Sequence, residues 1–314
     1  MLRYMAARVA SGVAVFLTVT GLAFVLYYAR GGDAIAREIV GFDKPQAVVD
    51  SMVSGLGLDR PLAVQYFEWL GGVLTGNLGT SFFTGQPVNT VLAIRIPVTV
   101  SLIVVSMLLT ILLSVPLGVW AATRGGLIDR VVQFLSVLVS AVPPYLTALA
   151  LVFVLALQLR LFPATGFIPI TQSVGGWFST VVLPSIGVAL GGILALSVWI
   201  RSAIIDTRRQ EWVRTLRSRG LSRRIIMYRY ILRNAAAPTV QYLGLSIIGL
   251  LSGTVFVERI FNLPGLGAIS LSAGDDGDIP VVLGVVVVFV LVIVIVNISV
   301  DLINGLLNPK VRLS

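Results

Sequence analysis

Apolar residues in this chain accumulate in long runs rather than alternating. Six strongly apolar stretches contain no Asp, Glu, Lys or Arg: 9–28, 98–122, 131–159, 181–200, 235–257 and 279–300. A helix needs roughly 20 apolar residues to cross a bilayer, so each stretch predicts a membrane span. The first follows Arg3 and Arg8 as a signal peptide would. It is long for a signal core, however, and Tyr27-Tyr28-Ala29-Arg30 offers no small-x-small cleavage site. A retained helix is expected.

The polar intervals carry their own signals. Residues 29–97 are too many for a simple connector. Pro61 suits a first helical turn, and Leu62, Tyr66, Phe67, Leu70 and Leu74 recur at helical spacing. Gly76-Asn77-Leu78-Gly79 stops that helix, and Pro87 starts a shorter one ending near Arg95. A small subdomain is expected here, either packed over the spans or used for contact. Pro143-Pro144 lies near the middle of the third stretch and predicts a kink, which serves a hinge, a cavity wall or ordinary packing. Gly187/Gly191 and Gly249/Gly253 permit close helix contact, more naturally within the chain than between chains.

Six spans put both termini on one side. With the N-terminus inside, segments 1–8, 123–130, 201–234 and 301–314 hold sixteen Lys/Arg and four acids, a net of +12. The outer segments hold seven Lys/Arg and ten acids, a net of −3. The positive-inside rule selects this orientation, mostly through 201–234. The overall charge of +9 therefore calls for no nucleic-acid partner. Composition agrees with a membrane protein: of 314 residues 57% are hydrophobic and 12% charged, at a mean hydropathy of +0.97.

Several chemistries are excluded. The chain has no Cys and no His, so thiol, imidazole and Cys/His metal chemistry are absent. Its two lysines, Lys44 and Lys310, end no Walker A loop, so an ATPase driving it is another polypeptide. The six stretches hold no ionisable carboxylate or base, which disfavours proton coupling and an intramembrane enzyme. A secondary transporter coupled to sodium and a membrane scaffold stay open.

The interval 201–234 has helical order of its own. Over 210–219, Trp212, Val213 and Leu216 share one face, with Arg214 and Arg217 elsewhere. Gly220 stands where a helix ends in a left-handed residue, and Ser222 caps a second helix through Ile225, Tyr228 and Leu232 into the fifth span. Periodicity alone leaves two roles open, a basic helix on anionic lipid and a protein-docking helix.

The segment EWVRTLRSRGLS followed by YRYILRNAAAP resembles the cytoplasmic signature of ABC-transporter permease subunits, and more narrowly the dipeptide/oligopeptide permease family. Val213-Arg214-Thr215, Gly220-Leu221-Ser222, Arg229 and Leu232-Arg233-Asn234-Ala235 match. Trp212 replaces the usual tyrosine and Leu216 a small residue. LRYMAARV, ARGGDAI, LGLDRPLAVQYFEWLGGVLTGNLGTS, TGQPV, RLFPATG and FNLPGLG resemble the family's other segments in order, across nearly the whole chain. The ending VDLINGLLNPKVR carries Asn308-Pro309 where the family often has Asp-Pro.

The resemblance implies an all-α fold of the type I importer permease, with an extracytoplasmic insertion at 29–97 between the first two spans. The permease domain would be 98–304, with a coupling loop at 201–234 and a cytoplasmic tail at 305–314. It implies a non-catalytic subunit of an ATP-driven importer in a prokaryotic cytoplasmic membrane. Partners would be a second homologous permease, two ATP-binding subunits carrying ATP and Mg, and an external solute-binding protein. Family solutes include di- and oligopeptides, nickel complexes, glutathione, haem and some sugars. The implied ATPase-contacting segment is Glu211, Trp212, Val213, Arg214, Thr215, Leu216, Arg217, Ser218, Arg219, Gly220 and Leu221, with Trp212, Val213 and Leu216 as anchors. Candidate pathway residues are Pro143, Pro144, Ser246, Gly249 and Ser252.

Overall fold

The computed structural model describes residues 2–307, and the side chains of residues 6–305. Asn308-Pro309 and most of the predicted tail lie outside the described residues. The fold is all-α. Among the described residues the only sheet-like pairing is one antiparallel bridge, Thr80 with Pro87. Five helices are long and apolar enough to cross a membrane: Ala6–Tyr28, Val88–Arg124, Val174–Arg208, Arg223–Ile260 and Ile279–Gly305. A bent pair, Gly126–Ala141 and Pro144–Gln158, supplies a sixth if counted as one span.

The chain divides into two compact units. One comprises residues 7–99 and 264–294. It holds most of α1 (Leu2–Tyr28), then α2 (Gly32–Val40), α3 (Gln46–Leu56), α4 (Leu62–Leu74) and α5 (Val88–Ala93). Helices α2 and α3 had no counterpart among the sequence expectations. They are short amphipathic segments, and Gly57 (φ 66) ends α3 in the left-handed conformation. Phe24, Ile35, Leu58, Ile279 and Leu283 form a buried cluster, with Tyr66 and Trp69 packed against it. Phe24 stacks on Tyr28 at 4.2 Å between ring centres, and Thr20 Oγ1 lies 3.1 Å from the Tyr66 hydroxyl. The apolar stripe expected on α4 divides: Tyr66 turns inward, while Phe67 and Leu74 are exposed.

A second cluster in this unit joins Val88, Val91 and Leu92 to Leu266, Ala273, Val281, Val282 and Val285. The FNLPGLG stretch runs into a further helix, Leu266–Asp276. Asp278, 6% exposed, fastens the turn after Thr80. Its carboxyl accepts from the Ser81 hydroxyl at 2.5 Å and from the Phe82 N–H at 3.1 Å.

The other unit comprises, among the described residues, 2–6, 100–263 and 295–307. Its helices are most of α6 (Ile96–Arg124), α7 (Gly126–Ala141), α8 (Pro144–Leu151), α9 (Val174–Arg208), α10 (Glu211–Ser218), α11 (Arg223–Ile225) and α12 (Leu232–Ile260). In chain order, Leu266–Asp276 is α13, and α14 (Ile279–Leu307) ends in this unit. Helix α8 continues as a π-helical stretch Val152–Gln158, and α11 joins α12 through another, Ile226–Ile231. Helix α9 is the centre of the unit and packs against α7, α8 and α12. It passes close to α6: a Cβ on Gly118 would stand 2.7 Å from the Ser197 carbonyl oxygen.

Two expectations change here. The stretch 131–159 is not one kinked helix but two helices bent by 104°. Proline disfavours helical geometry in the residue before it and donates no N–H. Val142 is accordingly extended (φ −97, ψ 125), Pro143 takes ψ 139, and Pro144 opens α8. The interval 201–234 is also less of a loop than expected, because α9 runs on to Arg208 and places Arg201 in a helix. In addition, Glu258, one residue beyond the fifth apolar stretch, is completely buried in α12.

Replacing Asp278 with Ala strands the Ser81 and Phe82 donors, so the fold is expected to lose about 2 kcal/mol. A lower thermal unfolding midpoint in detergent, relative to wild type, checks this.

Candidate functional site

Helix α10 is short, and its placement depends on its apolar face. Val213 is 1% exposed and belongs to a cluster with Ala122, Leu196, Ile200, Ile204, Ile226, Ile231 and Ala235. Trp212, Leu216 and Leu221 are partly buried against the same cluster. The amphipathic pattern thus formed the helix expected, with its apolar face turned toward the chain's own cluster, Val213 fully buried and Trp212 and Leu216 partly so. Val213 is therefore enclosed by its own chain, while Trp212 and Leu216 keep part of their surface outside. An eight-residue helix is too short to persist alone, and burying this face supplies what propagation cannot. The face left outside is polar, carrying Glu211, Arg214, Thr215, Arg217, Ser218 and Arg219.

The end of α10 is built around Gly220. Its φ is +79, a left-handed conformation that costs a residue with a Cβ. The Gly220 N–H donates to the Arg217 carbonyl at 3.0 Å, and the Leu221 N–H to the Leu216 carbonyl at 3.3 Å. These two bonds, with Leu216 and Leu221 both on the apolar cluster, make a Schellman closure. Ser222 then caps the next turn, accepting from the Ile225 N–H at 3.4 Å. The corner leads directly through Ile226–Ile231 into α12.

The neighbouring helix ends are tied by polar contacts. Arg201 donates through Nε and Nη2 to the two carboxyl oxygens of Asp129, joining α9 to α7. Gln133 adds a bond to Asp129 at 2.8 Å. Arg208 donates to the Ala122 carbonyl at 2.9 Å, joining α9 to the end of α6. The ties of Arg201 to Asp129 and of Arg208 to Ala122 were not legible as pairs, because their partners are far apart in sequence.

A cavity of about 260 Å³ opens where α7, α8, α9 and α12 approach. Of the candidate pathway residues, Pro144, Ser246 and Gly249 line it, while Pro143 and Ser252 do not. Ser252 is exposed and bonds to its own helix, at the Ile248 carbonyl. Sequence reasoning missed Thr147, Gly191, Gly192 and Tyr242, which also line it. Among the described residues, no Asp, Glu, Lys or Arg lines the cavity. The glycine pairs share duties: Cβ atoms on Gly187 and Gly253 would touch Ala148 and Val188, whereas Gly191 and Gly249 face open space.

Residues 114–313 match the family described as binding-protein-dependent transport system inner membrane component. The chain belongs to that family. Residues 1–103 match the companion N-terminal component of the same transport systems. The chain is 32% identical over 310 residues to a probable peptide ABC transporter permease of Sinorhizobium fredii, covering 98% of this chain and 99% of the relative. It is 33% identical over 320 residues to a putative peptide permease of Brucella suis, covering all of both chains. A dipeptide transport system permease of Lactococcus lactis is 32% identical over 277 residues, covering 87% and 89%. The chain is therefore a multi-pass membrane permease of an ABC transport system.

The inward face of α10 predicts a contrast between two substitutions. Val213→Asp should destabilise the solubilised permease by about 3 kcal/mol, since it buries a carboxylate among aliphatic side chains. Arg214→Ala on the exposed face should change stability by less than about 0.5 kcal/mol. Thermal unfolding of both variants, followed by tryptophan fluorescence, checks this.

Proposed function

We propose that this chain is one of two homologous permease subunits in an ATP-driven importer of di- or oligopeptides, with α10 receiving the motion of an ATPase partner. The observation that carries the reading is the mounting of α10. Its apolar face is bound to α6, α9 and α12 through one cluster, and its polar face is presented outward. A push on Arg214, Thr215, Arg217 or Ser218 is therefore a push on the helix bundle. Basic side chains on such a face suit an acidic rim on the partner, where charge complementarity orients docking. ATP and Mg would be bound by the two ATPase subunits.

The same reading places both termini and 201–234 in the cytoplasm and 29–97 outside, on the charge asymmetry of the intervals. An external binding protein would deliver the solute. The uncharged cavity between α8, α9 and α12 is the proposed stretch of the pathway. It has no charged side chain to grip a peptide terminus, so selection falls to the binding protein. The names of the relatives, peptide and dipeptide permeases, support the solute class.

Two variants test coupling and path separately in proteoliposomes containing the assembled transporter. Gly220→Val forces a β-branched residue into a left-handed conformation and breaks the corner. Peptide uptake should fall about tenfold or more while the complex still inserts and assembles. Wild-type uptake by this variant would sink the coupling role of the corner. Gly249→Trp fills the cavity where a side chain meets open space. Uptake should fall by about tenfold with ATP binding by the partner subunits unchanged; unchanged uptake would remove the cavity from the pathway.

A further inference from the structure

We propose that a second cavity, bounded by α10, α11 and the ends of α6 and α9, binds a phosphate-bearing anion, and that in the membrane this is the headgroup of an anionic phospholipid. The cavity holds about 480 Å³ and is lined by Arg208, Arg217, Arg223 and Arg224. No carboxylate lines it. Four guanidinium groups around one space repel each other, and an anion between them relieves that repulsion. Arg208 is held in place by its bond to the Ala122 carbonyl. The guanidinium fork matches two phosphate oxygens at once, which makes arginine the fitting cation for this ligand class.

The remaining lining distinguishes a lipid from a soluble phosphate. Ile226, Met227 and Ile231 form an apolar wall, and Tyr228 stands at the side, 67% exposed. A free phosphate has no use for that wall; a glycerophosphate headgroup with the start of its acyl chains does. Arginine mixed with tyrosine and aliphatic side chains is also the composition of a membrane interface. In the sequence, the cavity's lining residues fall just after the apolar stretch 98–122 and between 181–200 and 235–257. Occupancy would connect Arg217 of α10 to Arg223 and Arg224 across the Gly220 corner.

The test uses the full-length permease in its assembled transporter, placed in nanodiscs with equal phosphatidylglycerol and phosphatidylcholine. Lipid retained after mild detergent extraction is quantified by headgroup for the wild type, for Arg223→Gln/Arg224→Gln and for Arg223→Lys/Arg224→Lys. The wild type should retain phosphatidylglycerol in preference to phosphatidylcholine, and the glutamine pair should lose about tenfold of that preference. The lysine pair, which keeps charge without the fork, should fall between them; it also serves as the reading if the glutamine pair fails to fold. A parallel arm titrates inorganic phosphate onto delipidated protein. Binding of phosphate to wild type but not to the glutamine pair, without lipid preference, keeps the anion site and assigns it to a soluble phosphate. Equal lipid retention and equal phosphate binding in wild type and variants overturn the proposal. So does loss of ATPase-subunit binding with lipid retention unchanged, which would assign the arginines to an acidic protein surface.

Discussion

Inside a hydrocarbon layer no water is available to bond an exposed N–H or C=O, so each backbone group must find its partner within the protein. Long helices follow from this, and so does the importance of the place where an apolar stretch breaks into two helices. Pro143-Pro144 removes two donors and forces Val142 out of helical geometry. The chain turns by 104° there, and the space that opens beside the turn is the cavity lined by Pro144, Gly191, Ser246 and Gly249. Glycine at Gly191 and Gly249 keeps the space open, while Gly187 and Gly253 let α8, α9 and α12 approach closely around it.

Helix α10 is under a second constraint. A short helix with three apolar residues can show them to a partner or use them to hold itself in place. Here Val213 is buried by its own chain, and Trp212 and Leu216 are half-buried beside it. What is left outside is a polar, mainly basic face on a rigidly seated helix. The Schellman closure at Gly220 and the Ser222 cap carry that rigidity across the corner into α12.

Much of the site was legible in local sequence. The spacing of Trp212, Val213 and Leu216 specified α10, and Gly220 and Ser222 marked its end and the next start. The prolines at 143 and 144 marked the break, though not its size. What local pattern left out was the direction each face points. Periodicity shows that a face is apolar, but burial within the chain and burial against a partner leave the same pattern. The short helices α2, α3 and α13 escaped for a related reason: their apolar residues are few, and they become helices against α1, α5 and α14 rather than through propensity.

By itself, the sequence determined that this is an all-helical membrane chain, where its apolar runs lie, and which ends of them carry the positive charge. Those properties follow from local composition and from the length a helix needs to cross a bilayer. Only the tertiary structure decided that α10 turns its apolar face inward, that Arg201 meets Asp129, and that four arginines share one cavity. Each of these joins residues distant in sequence, and such pairing is fixed by packing, which no single stretch of the chain contains.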